Sequence, residues 1–155
     1  MKTMLAVVAT LLLGGSQGLH AQTVDACALL TRADVEAIAG RPMAEGAKPP
    51  MVPPASADVT VSMCSWTTPD GDDPIGVSVR VSKKGDSEPA YARQAAVDGG
   101  MKVEDVAGVG DVAFWTGIQL QVFRGKNVQL IVNIMGHSGA KEKAVLAARK
   151  ALAKL

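Results

Sequence analysis

The chain has 155 residues, of which 48% are hydrophobic and 20% charged, and its formal net charge at pH 7 is +1. A chain of this length can bury a real core as one domain. The near-neutral charge argues against a general nucleic-acid binder, which needs a basic footprint, and against an acidic inhibitor of a basic enzyme.

The N-terminal residues 1–21 have the pattern of a secretory signal peptide. Lys2 supplies a positive start, residues 4–13 form an apolar run too short to span a bilayer, and residues 19–21 offer a cleavage site. Cleavage removes Lys2 and no acidic residue, which leaves 15 acidic and as many basic residues and a net charge of zero. The protein is therefore expected to be periplasmic or secreted, with no transmembrane segment after cleavage.

Two cysteines, Cys27 and Cys64, remain in the mature chain. In an exported chain an even pair predicts one disulfide, which would tie the first helix to the first long strand. Two buried free thiols are one alternative. A lipidated Cys27 is another, although Asp25 stands where a lipidation signal requires a small or apolar residue. Two cysteines without a nearby histidine do not form a zinc cage, and no metal is expected.

Residues 25–40 predict a helix in two pieces. Asp25 can cap the first turn, and Thr31 with Asp34 resembles a capping box at the start of the second piece. Gly40 is expected just past the end of the helix, where glycine is common.

Two strands with one buried face follow a Pro-rich loop. The loop, residues 41–57, contains five prolines, which favour extended conformation and make it either a mobile connector or a recognition segment. Residues 58–67 and 75–82 alternate apolar and polar side chains, the period of a half-buried strand. The three aspartates at 70–73 are too closely spaced for an EF-hand, and they predict a solvated turn rather than a calcium site.

Two further helices are predicted, over residues 87–97 and from near Ser138 to the C-terminus. The first has Pro89 in its opening turn and a thin apolar face made of Tyr91, Val97 and alanines. The last has one apolar stripe at spacings of three and four, with lysines and arginine on its other faces. The stripe comprises Val145, Ala148, Leu152 and Leu155.

Residues 108–134 predict an antiparallel meander of three strands. Apolar residues alternate along 118–124 and 127–134, and Gly125-Lys126 between them suits a two-residue hairpin turn. Residues 101–106 lead into this stretch, with a short strand as one option. Together the elements predict an α+β fold: a single antiparallel sheet of about five strands with helices mainly on one face.

The sequence from Gly108 to Ala113 formally matches the glycine-rich fingerprint of dinucleotide-binding domains. That fingerprint must open a helix, because the phosphate binds at the helix N-terminus. Here a β-rich run follows instead, and the glycines are interpreted as a turn or bulge. No cofactor is expected.

No catalytic residue is predicted. His137 is the one histidine left after signal cleavage, and it is interpreted as a surface or capping residue rather than a general base. No Walker, zinc or kinase motif is present in the sequence. The methionines of the mature chain are scattered, which favours filling of core gaps over copper ligation. They are Met43, Met51, Met63, Met101 and Met135.

Four short motifs occur in order along the chain: Asp25-Ala-Cys-Ala-Leu-Leu-Thr31, Cys64-Ser-Trp66, Val106-Ala-Gly-Val-Gly-Asp111 and a closing helix rich in Ala, Leu and Lys. Together they resemble a family of exported bacterial domains of unknown function, frequent as actinobacterial lipoproteins. In that family an N-terminal cysteine pairs with the cysteine of a Cys-x-Trp strand. The resemblance implies a compact α+β domain that acts outside the cytoplasm, and it brings no catalytic residues.

The sequence predicts a non-catalytic interaction or small-ligand-binding module of the bacterial cell envelope. The alternatives are an accessory or inhibitory partner of an envelope enzyme and an enzyme with an unrecognised site. An exposed apolar patch around Trp66, Trp115 or Phe123 would support a protein partner, and a pocket with convergent polar groups would support an enzyme. The partner is expected to be a protein or a small ligand rather than a nucleic acid.

Overall fold

A computed structural model of the chain describes residues 24–50 and 56–155. The predicted signal peptide, the centre of the Pro-rich loop and Met51 lie outside these residues. No helix within the described part of the chain is both long and apolar enough to cross a membrane.

Four helices and six strands make up the described residues. The helices are α1 (Ala26–Leu29), α2 (Arg32–Ala39), α3 (Pro89–Asp98) and α4 (Ala140–Leu152). The strands are β1 (Val59–Trp66), β2 (Ile75–Ser82), β3 (Glu104–Asp105), β4 (Val112–Trp115), β5 (Gln119–Arg124) and β6 (Val128–Ile134).

The six strands form one antiparallel sheet in the order β1-β2-β6-β5-β4-β3, which confirms the predicted α+β fold. The sixth strand is β3, a two-residue edge strand paired with β4. In the centre β6 pairs with β2 on one side and with β5 on the other. This strand therefore joins the N-terminal hairpin to the C-terminal meander.

The main core lies between one face of the sheet and the helices α1, α2 and α4. Every second residue of the central strands points into it, as the period-2 pattern predicts. Each fully buried aliphatic side chain of this kind contributes about 1.5–3 kcal/mol to stability. The set comprises Ile75, Val77, Val79, Leu120, Val122, Leu130, Val132 and Ile134.

The two-piece N-terminal helix is confirmed, together with its caps. The Asp25 carboxylate accepts a hydrogen bond from the backbone N–H of Cys27 at 3.0 Å. Thr31 and Asp34 form a reciprocal capping box at the start of α2. Gly40 ends α2 with a φ of 76°, in the left-handed region that favours glycine.

The glycine-rich stretch before β4 forms a turn, and no helix follows it, as expected. Gly110 has a φ of 61° and lies against β5. A Cβ atom at this position would be 2.5 Å from a methyl carbon of Val122 and 2.7 Å from the carbonyl oxygen of Phe123. Glycine is required here because the turn backbone approaches the neighbouring strand so closely.

The turn between β5 and β6 has three residues rather than the predicted two. Arg124 pairs with Val128, which leaves residues 125–127 in the connection. Asn127 is held by a third strand, since its carbonyl accepts from the Ser82 N–H at 2.8 Å and its side-chain amide donates to the Ser82 carbonyl at 2.6 Å. Asn127 thus bonds to β2 and lies outside the β5–β6 ladder. The sequence of the hairpin alone could not predict this, because Ser82 is distant along the chain.

The predicted stripe of α4 is confirmed in part, since Ala148 is buried and Val145, Leu152 and Leu155 pack against the core. Val145 and Leu152 are only half-buried, because the face that packs on the sheet is made of alanines. Small side chains at a packing surface let a helix approach its partner closely. The buried residues of α4 are Ala144, Ala147, Ala148 and Ala151.

The third helix, α3, lies on the opposite face of the sheet, over its β4–β5 end. There Phe114 stacks on Phe123 with ring centroids 6.1 Å apart, and the Arg93 guanidinium lies 5.2 Å from the centroid of Phe114. The predicted apolar face of this helix is correct in part: Ala96 is buried, but Tyr91 is 78% exposed and Val97 is 50% exposed. Most helices thus pack on one face, as expected, and α3 covers part of the other.

Both edges of the sheet are protected. Along β1, Ala47 exchanges two backbone hydrogen bonds with Ser65, each 2.9 Å long, and the Ala44 N–H donates to the Thr67 carbonyl at 2.7 Å. The first part of the Pro-rich loop is therefore bound to the sheet edge and is not a free connector. The opposite edge strand, β3, has only two residues, both acidic and exposed, which discourages pairing with another chain.

Candidate functional site

The predicted disulfide between Cys27 and Cys64 is present, with a distance of 5.0 Å between the two Cα atoms. It ties α1 to β1. Gly46 lies against this link, since a Cβ there would be 2.8 Å from the Cys64 sulfur and 2.6 Å from the indole nitrogen of Trp66. The two cysteines therefore have a structural role at the end of the core.

The expected exposed patch of aromatic residues is wrong. Trp66 and Phe123 are each 1% exposed and Trp115 is 8% exposed. Trp66 and Trp115 belong to the main core, and Phe123 is covered on the second face of the sheet. Alternation along a strand indicates which residues share a face, but it does not indicate that both faces are covered at these positions.

His137 is buried rather than at the surface, and both of its ring nitrogens have partners. Nδ1 lies 3.1 Å from Nη2 of Arg41, and Nε2 lies 3.1 Å from the carbonyl oxygen of Asp73. Because arginine can only donate, Nδ1 accepts and Nε2 carries the proton that it donates to Asp73. Arg41 also forms an ion pair with the Asp73 carboxylate at 2.6 Å. The imidazole holds three loops together, and neither nitrogen is free to act as a general base.

The aspartate-rich residues 70–73 form a turn, as predicted. Gly71 and Asp73 both have positive φ values, 92° and 46°, and the Asp73 carboxylate is taken up by Arg41. In residues 24–50 and 56–155, no group of three or more His, Cys, Asp or Glu side chains is placed to hold a metal ion.

Within residues 24–50 and 56–155, the second face of the sheet is only partly covered, and its open part carries the candidate site. We call this part, between Pro49 and α3, the open face. Strand register aligns its side chains in two rows that cross β1, β2, β6 and β5. The first row is Met63, Ser78, Ile131 and Gln121, and the second is Ser65, Gly76, Asn133 and Gln119.

An apolar groove of about 260 Å³ lies over β1, β2 and β6 on the open face. We call it the Gly76 groove, because the missing side chain of Gly76 leaves space between its row neighbours Ser65 and Asn133. Its other lining side chains are Met63, Met135, Pro49, Pro74 and Ser78.

Two of the methionines predicted to fill core gaps belong to this groove instead. Met135 is 54% exposed and Met63 is half-buried, and both line the Gly76 groove. Met43 is buried in the core, as predicted. Flexible methionine side chains are common on surfaces that bind apolar ligands.

A second groove of about 290 Å³ continues the open face towards α3. We call it the amide groove, because glutamines of β5 and β6 form its floor. Gln129 donates a hydrogen bond from its side-chain nitrogen to the side-chain oxygen of Gln121 at 3.0 Å. Ile131 lines the amide groove and is the cross-strand partner of Ser78, which lines the Gly76 groove. The two grooves are therefore neighbours on one surface.

A larger, polar depression of about 590 Å³ lies where α1 meets α2. Its charged lining residues, Arg32 and Glu45, form an ion pair with each other at 3.4 Å, and Arg32 also contacts Glu36 at 3.4 Å. Trp66 contributes to its lining. Because Arg32 and Glu45 are already paired, this depression has, among the described residues, no free charged group to bind a ligand. The open face is therefore the better candidate site.

Comparison with known proteins finds no family model, curated protein or solved structure that matches the chain. The resemblance to the exported family therefore stays a prediction.

The residues of the open face were missed by sequence reasoning. In the sequence, Gly76 and Ser78 are simply non-apolar residues that alternate with apolar ones along a strand. Gln121 and Gln129 alternate with apolar residues in the same way. A signal was present, because a glycine inside an otherwise β-branched strand often marks a place where a ligand or backbone approaches closely.

Proposed function

We propose that this protein is an exported, non-catalytic binding module that holds a small, mostly apolar ligand in the Gly76 groove. The observation that carries this proposal is the groove itself, an apolar concavity on the part of the sheet that the described residues leave uncovered. Its make-up resembles that of small-molecule sites, which have apolar walls and a few polar groups that fix orientation. Met63 and Met135 supply walls, and Ser78 and Asn133 supply the polar groups.

The cell envelope is the proposed location. The Cys27–Cys64 disulfide supports it, since such bonds persist in oxidising compartments and are rare in the cytosol. The signal-peptide pattern of residues 1–21 and the resemblance to exported domains point the same way.

A binding role fits the site better than catalysis does. His137 has both ring nitrogens committed to Arg41 and Asp73, and it is not among the residues that line the Gly76 groove. The groove instead presents thioether, hydroxyl and amide side chains, which bind and orient a ligand.

Gly76→Val provides the test. Gly76 has ordinary strand backbone, and a Cβ there would meet only ordinary contacts, the nearest 3.7 Å away on Asn133. A β-branched residue suits this strand position, so the variant is expected to fold as stably as the wild type while its side chain fills the groove.

The measurement is native mass spectrometry of protein released gently from the periplasm of the producing cells. We expect the wild type to carry an added small mass that is lost on denaturation, and Gly76→Val to lack it. Val112→Ile, an exposed position on β4 at the far end of the same face, is the matched control and should keep the added mass. A wild type without added small mass, a bound protein instead, or an unchanged mass in Gly76→Val would each contradict the proposal.

A further inference from the structure

We infer that the ligand is an uncharged amphiphile whose apolar part lies in the Gly76 groove and whose hydrogen-bonding head group lies on the amides of Gln121 and Gln129. This inference rests on the proposed function and names the chemical class of its ligand.

The first step is the continuity of the surface. The row Met63, Ser78, Ile131 and Gln121 crosses four adjacent strands, from the Gly76 groove into the amide groove. Neighbouring strands are about 4.8 Å apart, and the three steps therefore span about 14 Å. An elongated ligand can lie along this row and contact both grooves at once.

The second step is a nearly buried amide group with unused hydrogen-bonding capacity. Gln121 is 7% exposed, and its side-chain oxygen accepts from Gln129. Its side-chain nitrogen donates to no side chain or backbone group within residues 24–50 and 56–155. No fully buried side-chain nitrogen or oxygen of that part of the chain lacks a partner, so this nitrogen is reachable from the amide groove.

The amide pair is thus ready for a polar but neutral group. The Gln121 nitrogen can donate and the Gln129 oxygen can accept, a combination that suits a hydroxyl or an amide of a ligand. Because this nitrogen is reachable from the groove, water can bind it in the free protein. A ligand hydroxyl or amide would replace that water with a hydrogen bond of its own, whereas an apolar group would leave the donor without a partner.

The third step is the absence of charge in the lining. No Asp, Glu, Lys, Arg or His is among the described residues that line either groove. Arg80 is the cross-strand partner of Gln129 and lies on the same face. Its guanidinium is already bound to Asp86 at 2.9 Å and to the Ser87 hydroxyl at 3.0 Å. A charged head group would therefore lose water here, and an anion could gain a counter-ion only by displacing Asp86 from Arg80. The lining favours an uncharged ligand.

The test measures binding of n-octyl β-D-glucoside, a neutral amphiphile with a hydroxyl-rich head group, by titration calorimetry below its micelle concentration. Sodium octyl sulfate, which has the same chain and a charged head group, is the comparison probe. Gly76→Val fills the apolar half of the site, and Gln121→Leu removes the amide at nearly constant volume. Gln94→Leu is the matched control, because Gln94 is exposed on α3 and pairs with Asp98.

We expect saturable binding of the glucoside to the wild type, loss of binding in Gly76→Val and about tenfold weaker binding in Gln121→Leu, the effect of one hydrogen bond. Gln94→Leu should bind like the wild type, and octyl sulfate at least about tenfold more weakly than the glucoside. Circular dichroism confirms that each variant is folded.

Three results would overturn the inference. Equal binding of the two probes would show that charge is not selected. An unchanged affinity in Gln121→Leu, with loss in Gly76→Val, would remove the head-group site and leave the proposed function intact. No saturable binding of the glucoside would reject the ligand class, while the added mass on periplasmic protein decides the proposed function independently.

Discussion

Asp34 joins two helices at one corner of the fold. Its carboxylate accepts a hydrogen bond from the backbone N–H of Thr31 at 3.0 Å, and Lys150 of α4 donates to it at 2.8 Å. The Lys150 ammonium, followed by the Thr31 N–H and hydroxyl, holds the pKa of Asp34 well below its usual range. The charged carboxylate therefore stabilises the folded state.

We predict that Asp34→Asn lowers the free energy of unfolding at pH 7 by about 1 kcal/mol, the usual value of a helix cap. The pKa of Asp34 is depressed in the folded state, so its contribution is fully present above the unfolded-state pKa of about 3.9 and is lost as pH falls towards the folded-state pKa. Urea unfolding at pH 7 and pH 3 should show the difference between variant and wild type shrinking at the lower pH.

Asp98→Asn is the control for this pH dependence. The Asp98 carboxylate accepts from the neutral amide of Gln94 and contacts no ammonium group among the described salt bridges. Its substitution reports the effect of changing a carboxylate to an amide at a position where no ammonium partner is lost. A deficit in Asp34→Asn that did not depend on pH would contradict the assigned role of its charge.

At the scale of single residues, the sequence predicts interactions between residues that are only a few positions apart. The caps at Asp25, Thr31 and Gly40 follow from side chains that reach their own helix ends. The partners of His137 and Gln121 could not be predicted, because Arg41 and Gln129 reach them only through the fold.

At the scale of elements, the disulfide compensates for the small size of α1. This helix has four residues, and it is joined to β1 by the bond from Cys27 to Cys64 and by a hydrogen bond from the Ala26 N–H to the Ser62 hydroxyl at 2.9 Å. So short a helix is not stable alone, and its position depends on these links.

We predict that Cys27→Ser and Cys64→Ser each lower the free energy of unfolding, with a ceiling of about 4 kcal/mol from chain entropy for a separation of 37 residues. Cys64→Ser should cost somewhat more, because Cys64 is buried and a hydroxyl there lies in the core. Urea unfolding of both variants and of the double variant is the measurement. The double variant should lose little beyond Cys64→Ser, since each substitution breaks the same bond.

Reduced wild-type protein is the natural control, and it should unfold at a urea concentration close to that of the single variants. Additive losses in the double variant would mean that the two residues contribute separately.

Strands were more predictable than helix faces. The alternation of Ile75, Val77 and Val79 identifies β2 and its buried side, because a strand has only two sides. The helices α3 and α4 have many candidate faces, and both bury alanines, such as Ala96 and Ala147. Hydrophobic size therefore did not identify the most deeply buried positions, since close packing on the sheet selects small residues.

At the scale of the whole molecule, the edges of the sheet decide whether it can pair with another chain. The β1 edge is covered where Ala47 exchanges two hydrogen bonds with Ser65. Proline has no N–H to donate and would remove one of them. An uncovered edge strand is a template for association with another sheet.

We predict that Ala47→Pro promotes concentration-dependent self-association. Sedimentation velocity over a range of protein concentrations is the measurement, with Ala47→Ser as the control because serine keeps the backbone N–H. Identical sedimentation of the two variants would show that the Ala47–Ser65 bridge does not protect the edge.

The candidate site also belongs to this scale. Met63, Gly76 and Ile131 lie in three different strands, and only the pairing of β1, β2 and β6 brings them together. Each strand was predictable from its own period, but the order of strands and the partial cover by α3 are set by contacts between distant segments. The site could not be predicted for this reason.

The central position of β6 has a kinetic consequence. Pairing of Ile75 with Ile134 closes a loop that contains α3, β3, β4 and β5. Non-local pairing of this kind is slow, because loop-closure entropy is lost before the contacts form, and folding on the millisecond-to-second scale is expected. The Cys27–Cys64 crosslink lies outside this loop and cannot shorten it. Disulfide formation should therefore restrict mainly the N-terminal segment of the unfolded chain. Pairing of β2 with β6, the expected rate-limiting step, should proceed at a similar rate when the disulfide is reduced.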